Sequence, residues 1–171
     1  FRLERLPGRE PSYLVRSRVP VAPPTSATRT KVEPDDVPEV GSSIAFRVSI
    51  NAVQRPKSGK TRPVAPDRDD VDDSVPHGEG TEKPAPPTVT PWLTERFRGA
   101  VSDLSVLNHV REVVGATRHG AKPQATKGIQ GDVFDGVATV ADPDVLGQLL
   151  ANGVGRERAY GCGLLTIKRL A

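Results

Sequence analysis

Asp142-Pro143-Asp144-Val145-Leu146-Gly147-Gln148-Leu149-Leu150-Ala151-Asn152, followed by Gly153-Val154-Gly155-Arg156-Glu157-Arg158-Ala159-Tyr160-Gly161-Cys162-Gly163-Leu164-Leu165-Thr166-Ile167, decides how this chain folds. Asp142 is an N-cap residue, Pro143 suits the first helical position, and Asp144 adds an acid favourable to the helix dipole. Val145, Leu146, Leu149 and Leu150 give the helix one apolar face, and Gly153 ends it. Leu164 to Lys168 read as a strand. Between helix and strand lies a loop of four glycines and two arginines. Glycine allows positive φ and close backbone approach, and successive amides can form a concave nest for an anion. Arginine supplies forked donors suited to phosphate. The loop therefore reads as a holder of a nucleic-acid backbone, with a helix cap followed by a tight turn as the plain structural alternative.

Working back from the loop, Val133-Phe134-Asp135-Gly136-Val137-Ala138-Thr139-Val140 is a strand, and residues 115–131 are a long connection before it. That connection holds four glycines, with Arg118, His119, Lys122 and Lys127, and no acids. It reads either as a hairpin tip that contacts a nucleic-acid backbone or as an ordinary solvated loop. Leu104 to Val114 fits a helix by the spacing of Leu104, Leu107 and Val114. The density of valine and the terminal Gly115 favour a strand. Thr90-Pro91 reads as an N-cap with proline at the first helical position, and Leu93, Phe97 and Ala100 share one helical face, with Gly99 as the stop. Trp92 reads as core or as a helix-start anchor rather than a platform for bases.

Residues 55 to 90 are poor in apolar side chains and rich in Pro, Gly and charge, which predicts a mobile insert. Its acids Asp67, Asp69, Asp70, Asp72 and Asp73 lack the glycine and distal glutamate of an EF-hand loop, so they read as a solvated charge run. The strand signal is clearest at Ile44-Ala45-Phe46-Arg47-Val48-Ser49-Ile50. There Ile44, Phe46, Val48 and Ile50 point one way, and Arg47, Ser49 and Asn51 the other. Residues 20 to 42 carry Pro20, Pro23, Pro24, Pro34 and Pro38 and read as a linker. Phe1-Arg2-Leu3-Glu4-Arg5-Leu6 alternates, Pro7-Gly8 is turn chemistry, and Tyr13 to Ser17 reads as a second strand. Such a hairpin is marginal alone, so residues 1 to 19 are expected to belong to a sheet whose other strands lie upstream. The start at Phe1 and the lack of any methionine agree with that expectation.

The 171 residues suit one domain, or one domain and part of another. With 36% hydrophobic residues and 4% aromatics the core is small, and the net charge of +3 permits an anionic partner without demanding one. Cys162 is alone, which excludes an intrachain disulfide and fits a reducing, cytoplasmic setting. Set between two glycines, it reads as a small buried residue rather than a catalytic thiol. No run reaches the roughly 20 apolar residues of a membrane span.

From residue 43 onward the order is strand, helix, strand, strand, helix, strand. This is the α+β, ferredoxin-like (RRM-like) βαββαβ pattern. The aromatic signature of an RNA-recognition motif is missing, which favours binding through loops and backbone.

Phe134-Asp135-Gly136-Val137, then Thr139-Val140, Asp142-Pro143, a short helix and GVGRERAYGCGLLTI resemble the C-terminal end of the CasE-type (type I-E) CRISPR-associated endoribonucleases. Their usual ending is similar to FDGxLxVxDP, a helix, and G-x-G-R-x-K-A-[FY]-G-C-G-L-L. The opening FRLE and YLVRS also resemble the last strands of that family's first domain. The resemblance implies tandem ferredoxin-like domains, with residues 1–19 ending the first, 20–42 linking, and 43–171 forming the second. It implies binding of a CRISPR-repeat stem-loop and cleavage at its 3′ base. The cut needs no metal and no cofactor: the 2′-hydroxyl attacks the adjacent phosphate and leaves a cyclic phosphate. The crRNA and other Cascade subunits are the implied partners, with no membrane.

In that family the key histidine comes from the first helix of the N-terminal domain, which is expected to lie outside this chain. His77, His109 and His119 do not match its position, so no catalytic residue carries over. Gly153, Gly155, Arg156 and Arg158 match the family loop, with Arg158 where lysine is commoner. Arg118, Lys122 and Lys127 correspond loosely to the hairpin that approaches the RNA stem. A non-catalytic subunit that retains crRNA is the alternative.

Overall fold

The computed structural model describes residues 1–4, 8, 10–19, 22, 36–54, 61–67, 88–114 and 129–170. Eight strands and two helices follow in the order β1 (Arg2–Glu4), β2 (Ser12–Leu14), β3 (Ser43–Ile50), β4 (Val53–Gln54), β5 (Arg62–Pro63), α1 (Val89–Phe97), β6 (Val101–Val114), β7 (Ile129–Val140), α2 (Pro143–Asn152) and β8 (Leu165–Arg169) among the described residues. The central sheet is antiparallel in the order β6-β7-β3-β8. With α1 and α2 as the crossovers, that order is the ferredoxin-like fold. The ambiguous stretch before Gly115 is a strand, β6, paired with β7 over most of its length.

Alternation along β3 sets the two faces. Ile44, Phe46, Val48 and Ile50 are buried, and they join Phe134, Ala138 and Val140 of β7 in one cluster with Trp92, Leu93 and Phe97 of α1 and Leu146, Leu149 and Leu150 of α2. The Phe46 and Phe97 rings lie 5.3 Å apart at 59°, a tilted packing that suits their quadrupoles. Both helices therefore cover one face of the sheet. The other face carries Ala45, Arg47, Asp135, Val137, Thr166 and Lys168 along a shallow groove.

Helix α2 begins as its sequence predicts: the Asp142 carboxylate accepts hydrogen bonds from the Asp144 and Val145 amides, each at 3.0 Å. Helix α1 differs. It starts at Val89, and its N-cap, Thr88, makes no side-chain cap bond. Thr90 lies inside the helix, and the cap comes from a distant acid. The Asp67 carboxylate accepts from the Thr90 amide at 2.9 Å and from the Thr90 hydroxyl at 2.5 Å. The expectation of a mobile insert over 55 to 90 therefore needs correcting at residues 61–67. There β5 pairs with β4, Val64 is fully buried in the core, and Ala65 bridges Thr88. One valine among polar neighbours carries no periodic signal, so its burial is invisible to pattern reading. The remaining acids of that run, Asp69, Asp70, Asp72 and Asp73, lie outside the described residues.

Burial alone would raise the Asp67 pKa, but hydrogen bonds from Thr90 and Thr88 outweigh it and hold the carboxyl below its ordinary value. A carboxylate with a lowered folded pKa contributes stability above its unfolded pKa and loses it as pH falls through the folded value. Asp67→Ala should thus cost about 1 kcal/mol at neutral pH, the usual worth of a cap. Urea unfolding should show the gap to the unmutated chain closing in acid; a gap that is unchanged or wider there would contradict the cap.

The β1–β2 hairpin is tied to the sheet through Arg2, which is 4% exposed. Its guanidinium donates to the carbonyls of Arg47 and Leu164, each at 3.0 Å, to the Thr166 hydroxyl at 3.0 Å, and to Glu4 at 2.6 Å. Burial lowers the Arg2 pKa, and Glu4 opposes that shift.

Candidate nucleic-acid interface

The glycine–arginine loop leaves the end of α2 and returns to β8. Four of its glycines hold positive φ: Gly153 at 76°, Gly155 at 79°, Gly161 at 85° and Gly163 at 89°. Two of these positions also face backbone. A Cβ on Gly153 would lie 2.8 Å from the Gly163 carbonyl oxygen, and one on Gly163 would lie 2.7 Å from the Val154 carbonyl oxygen. The strands of the loop neck touch there, and only glycine fits. The Val154 amide closes the neck by donating to Gly163 at 2.8 Å, and the Gly163 amide donates to Ser49 of β3 at 2.5 Å. The loop is thus bolted to the central strand of the sheet.

Beyond the neck, Glu157 takes a left-handed φ of 63°, a conformation that costs a non-glycine residue of order 1 kcal/mol. One oxygen of its carboxylate, Oε2, is buried without a hydrogen-bond partner among the described residues. Such costs persist where the surrounding structure enforces them, and they cluster at sites that bind ligands. The amides of Gly155, Arg156 and Glu157 have no hydrogen bond to another described residue. This run, with positive φ at both of its ends, is the part of the loop that can act as an anion nest. The amides of Gly153, Val154 and Gly163 are already used inside the protein. The nest is therefore shorter than the glycine spacing predicts.

Arg156 and Arg158 are exposed, and neither forms an ion pair among the described residues. The stem of Arg158 passes over Gly163, its Cγ 3.4 Å from where a Cβ would stand. The structure thus brings Gly153, Gly155, Arg156 and Arg158 together on one loop. Arg118, Lys122 and Lys127 lie outside the described residues, as do His77 and His119.

Of the two cations on the open face of the sheet, Arg47 is spoken for, whereas Lys168 is exposed and forms no ion pair among the described residues. Arg47 donates to both oxygens of Asp135 at 2.5 and 2.9 Å, and Asn108 donates to the same carboxylate at 3.2 Å. The Arg47 hydrogen bonds hold the Asp135 carboxyl below its ordinary pKa against the opposing effect of burial. Sequence reasoning missed this pair, since 88 residues separate its members. With Arg47 neutralised, the exposed arginines of the loop are freer anion ligands than Arg47.

His109 is both packed and paired. Its ring stacks on Phe134 with centroids 4.5 Å apart, and Nε2 lies 2.8 Å from the fully buried Asp132. Burial pushes the Cys162 thiol pKa up, and the Glu157 and Asp132 carboxylates add to the shift. The thiolate is thereby disfavoured, which fits a buried packing residue.

A family described as "CRISPR associated protein" matches residues 1–169. By structure the chain is similar to a CRISPR endoribonuclease, Cse3, bound to a 19-nucleotide RNA. That likeness has 22% identity and a TM-score of 0.50, and covers 75% of this chain and 56% of the other. It is also similar to a chain of a CRISPR RNA-guided surveillance complex, with 18% identity and a TM-score of 0.58, over 98% of this chain and 82% of the other. The chain thus spans little more than half the length of the Cse3 chain. At these identities the likeness shows the fold. No curated protein matches the chain in sequence. Among the described residues no helix is long and apolar enough to cross a membrane.

Proposed function

Because the chain belongs to the CRISPR-associated protein family, we propose that it grips the stem-loop of a CRISPR-repeat RNA and works with other subunits of a Cascade-like complex. The observation that carries this reading is the loop of residues 153–163. There two exposed arginines share one loop with three amides that have no partner among the described residues. Phosphate oxygens suit that donor set: the amides form the cradle and the guanidinium forks supply charge. The Cse3 chain with a similar fold is an endoribonuclease bound to RNA, and the surveillance complex is RNA-guided, which supports RNA as the polyanion. In this reading Arg118, Lys122 and Lys127 form a second contact from the tip of the β6–β7 hairpin. Residues 1–19 end one ferredoxin-like unit and 43–171 form the next.

The proposed chemistry of the whole protein is metal-independent cleavage, in which the 2′-hydroxyl attacks the neighbouring phosphate and leaves a cyclic phosphate. Such a step needs a base for the hydroxyl, an acid for the leaving oxygen and cations for the phosphorane. None of these groups is assigned to a described residue, and Gly153, Gly155, Arg156 and Arg158 are assigned to holding RNA. Retention of crRNA without cleavage is the second reading, which the same loop would serve.

Arg156→Ala with Arg158→Ala should weaken binding of a repeat hairpin by about tenfold or more. It should also make the slope of log K against log salt shallower by roughly 0.9 for each phosphate that the loop no longer neutralises. Gel shifts over a salt series, with a melting curve to show an intact fold, measure both. Unchanged affinity with an unchanged melting curve would refute the role of the loop.

A further inference from the structure

The loop also presents aromatic surface that phosphate binding does not use. The chain has one Trp, two Tyr and four Phe. Trp92, Phe46, Phe97 and Phe134 are in the core, whereas Phe1, Tyr13 and Tyr160 are 51%, 68% and 67% exposed. Tyr160 does not reach solvent through a floppy tip. It ends the 3-10 turn Arg158–Tyr160, which is bracketed by left-handed Glu157 and Gly161. The Tyr160 amide donates to Glu157 at 3.0 Å, and the Gly161 amide donates to Arg158 at 3.2 Å. Two special backbone conformations and two hydrogen bonds thus hold the turn that displays this ring. Phe1 lies against the same turn: a Cβ on Gly161 would stand 3.1 Å from Phe1 Cε2. Arg156, Arg158 and the open amides of residues 155–157 lie within five residues of Tyr160 in the same loop.

We propose that Tyr160 is a stacking platform for an unpaired nucleobase whose phosphate rests on the Gly155–Glu157 amides. The inference deepens the reading of the loop as an RNA holder and rests on it. A phosphate nest and an exposed ring on one loop offer groups for the two ends of a nucleotide. A base in the interior of a duplex already has both faces stacked, so the ring is assigned to a base outside the stem. Stacking tolerates any base, since each has a π-face. The flanking arginines complement a polyanion, which favours nucleic acid over a protein surface as the occupant.

The test uses the 171-residue chain and a CRISPR-repeat stem-loop RNA in two forms. One form is blunt; the other carries single-stranded tails with 2-aminopurine next to the stem. The unmutated chain and Tyr160→Phe should bind the tailed form more tightly and quench the 2-aminopurine. Tyr160→Ala and Tyr160→Leu should lose the quenching and bind the tailed form roughly 5- to 150-fold more weakly, as expected when a base–aromatic stack is removed. Their melting curves and their affinity for the blunt form should be unchanged. Either variant binding both forms as the unmutated chain does would overturn the platform and assign the exposed ring to a protein contact. Equal weakening on both forms, with quenching retained, would overturn it too. If the unmutated chain binds neither form, the reading of the loop itself has failed, a result distinct from losing only the preference for tails.

Discussion

Gly136→Ala should destabilise the protein by about 3 kcal/mol, the upper range for overpacking a well-filled interior. For a domain of this size that corresponds to a fall in Tm of roughly 10 °C. Gly136 lies in the middle of β7, paired with Phe46 of β3 on one side and Val106 of β6 on the other. A Cβ there would meet the Ser105 carbonyl oxygen and stand 2.5 Å from Phe46 Cζ. Backbone on one side and a buried ring on the other leave nothing flexible to yield. The strain would be relieved only by parting β6 from β7 or by displacing Phe46 from Phe97. The β6–β7 pairing is already irregular here, with register shifts between Ser102 and Ser105 and between Val106 and Asn108. Bulges of this kind bend a strand and increase its twist. The lack of a side chain at Gly136 is what lets the Ser105 carbonyl and the Phe46 ring approach this closely. Thermal unfolding followed by circular dichroism measures the effect. A loss below about 1 kcal/mol would mean that the sheet opens at this point with ease.

Asp132→Ala should cost about as much, again roughly 3 kcal/mol, because it strips a buried carboxylate from several donors. Asp132 is fully buried. It accepts from the Ala52 amide at 3.1 Å, from Arg111 Nε at 2.7 Å, and pairs with His109 Nε2 at 2.8 Å. Arg111 also donates to the Val64 carbonyl at 2.8 Å. One carboxylate thus joins β6, β7, the corner after β3 and the segment around Val64. Alanine would leave a buried amide and two ring or guanidinium donors without their acceptor. Arg111 is about one-third exposed and can turn to water, which keeps the loss at the low end of the range for broken buried pairs. Asp132→Asn retains an acceptor oxygen and should lose less. Urea unfolding of both variants measures the order, and a change under about 0.5 kcal/mol for alanine would show that water replaces the clamp.

Much of the frame is legible in the chain itself, because local rules act on neighbours in sequence. The period-two pattern of residues 44–50 sorts the faces of β3, and Asp142-Pro143-Asp144 starts α2 as predicted. The glycines of residues 153–163 announce a loop of left-handed backbone, and all four hold positive φ. The start of α1 departs from its local signal for the opposite reason: its cap is Asp67, brought in from outside the helix.

Sequence alone determined the βαββαβ order from residue 43, the apolar faces of β3, α1 and α2, and the glycine–arginine loop as the place to look for an anion. These follow from φ preferences, capping chemistry and side-chain periodicity, which need only a few adjacent residues. Tertiary structure alone decided which charges remain available to a partner. Arg47 and Asp135 cancel across two strands, Arg2 is buried by the hairpin, and His109 is taken by Asp132. Tertiary structure also fixed which amides of the loop are already used, and it sent Tyr160 outward while the rings of the helices and the central sheet turned in. The physical reason is that a polar group's partner is set by whatever folding brings within about 3 Å, and spacing along the chain does not encode that distance.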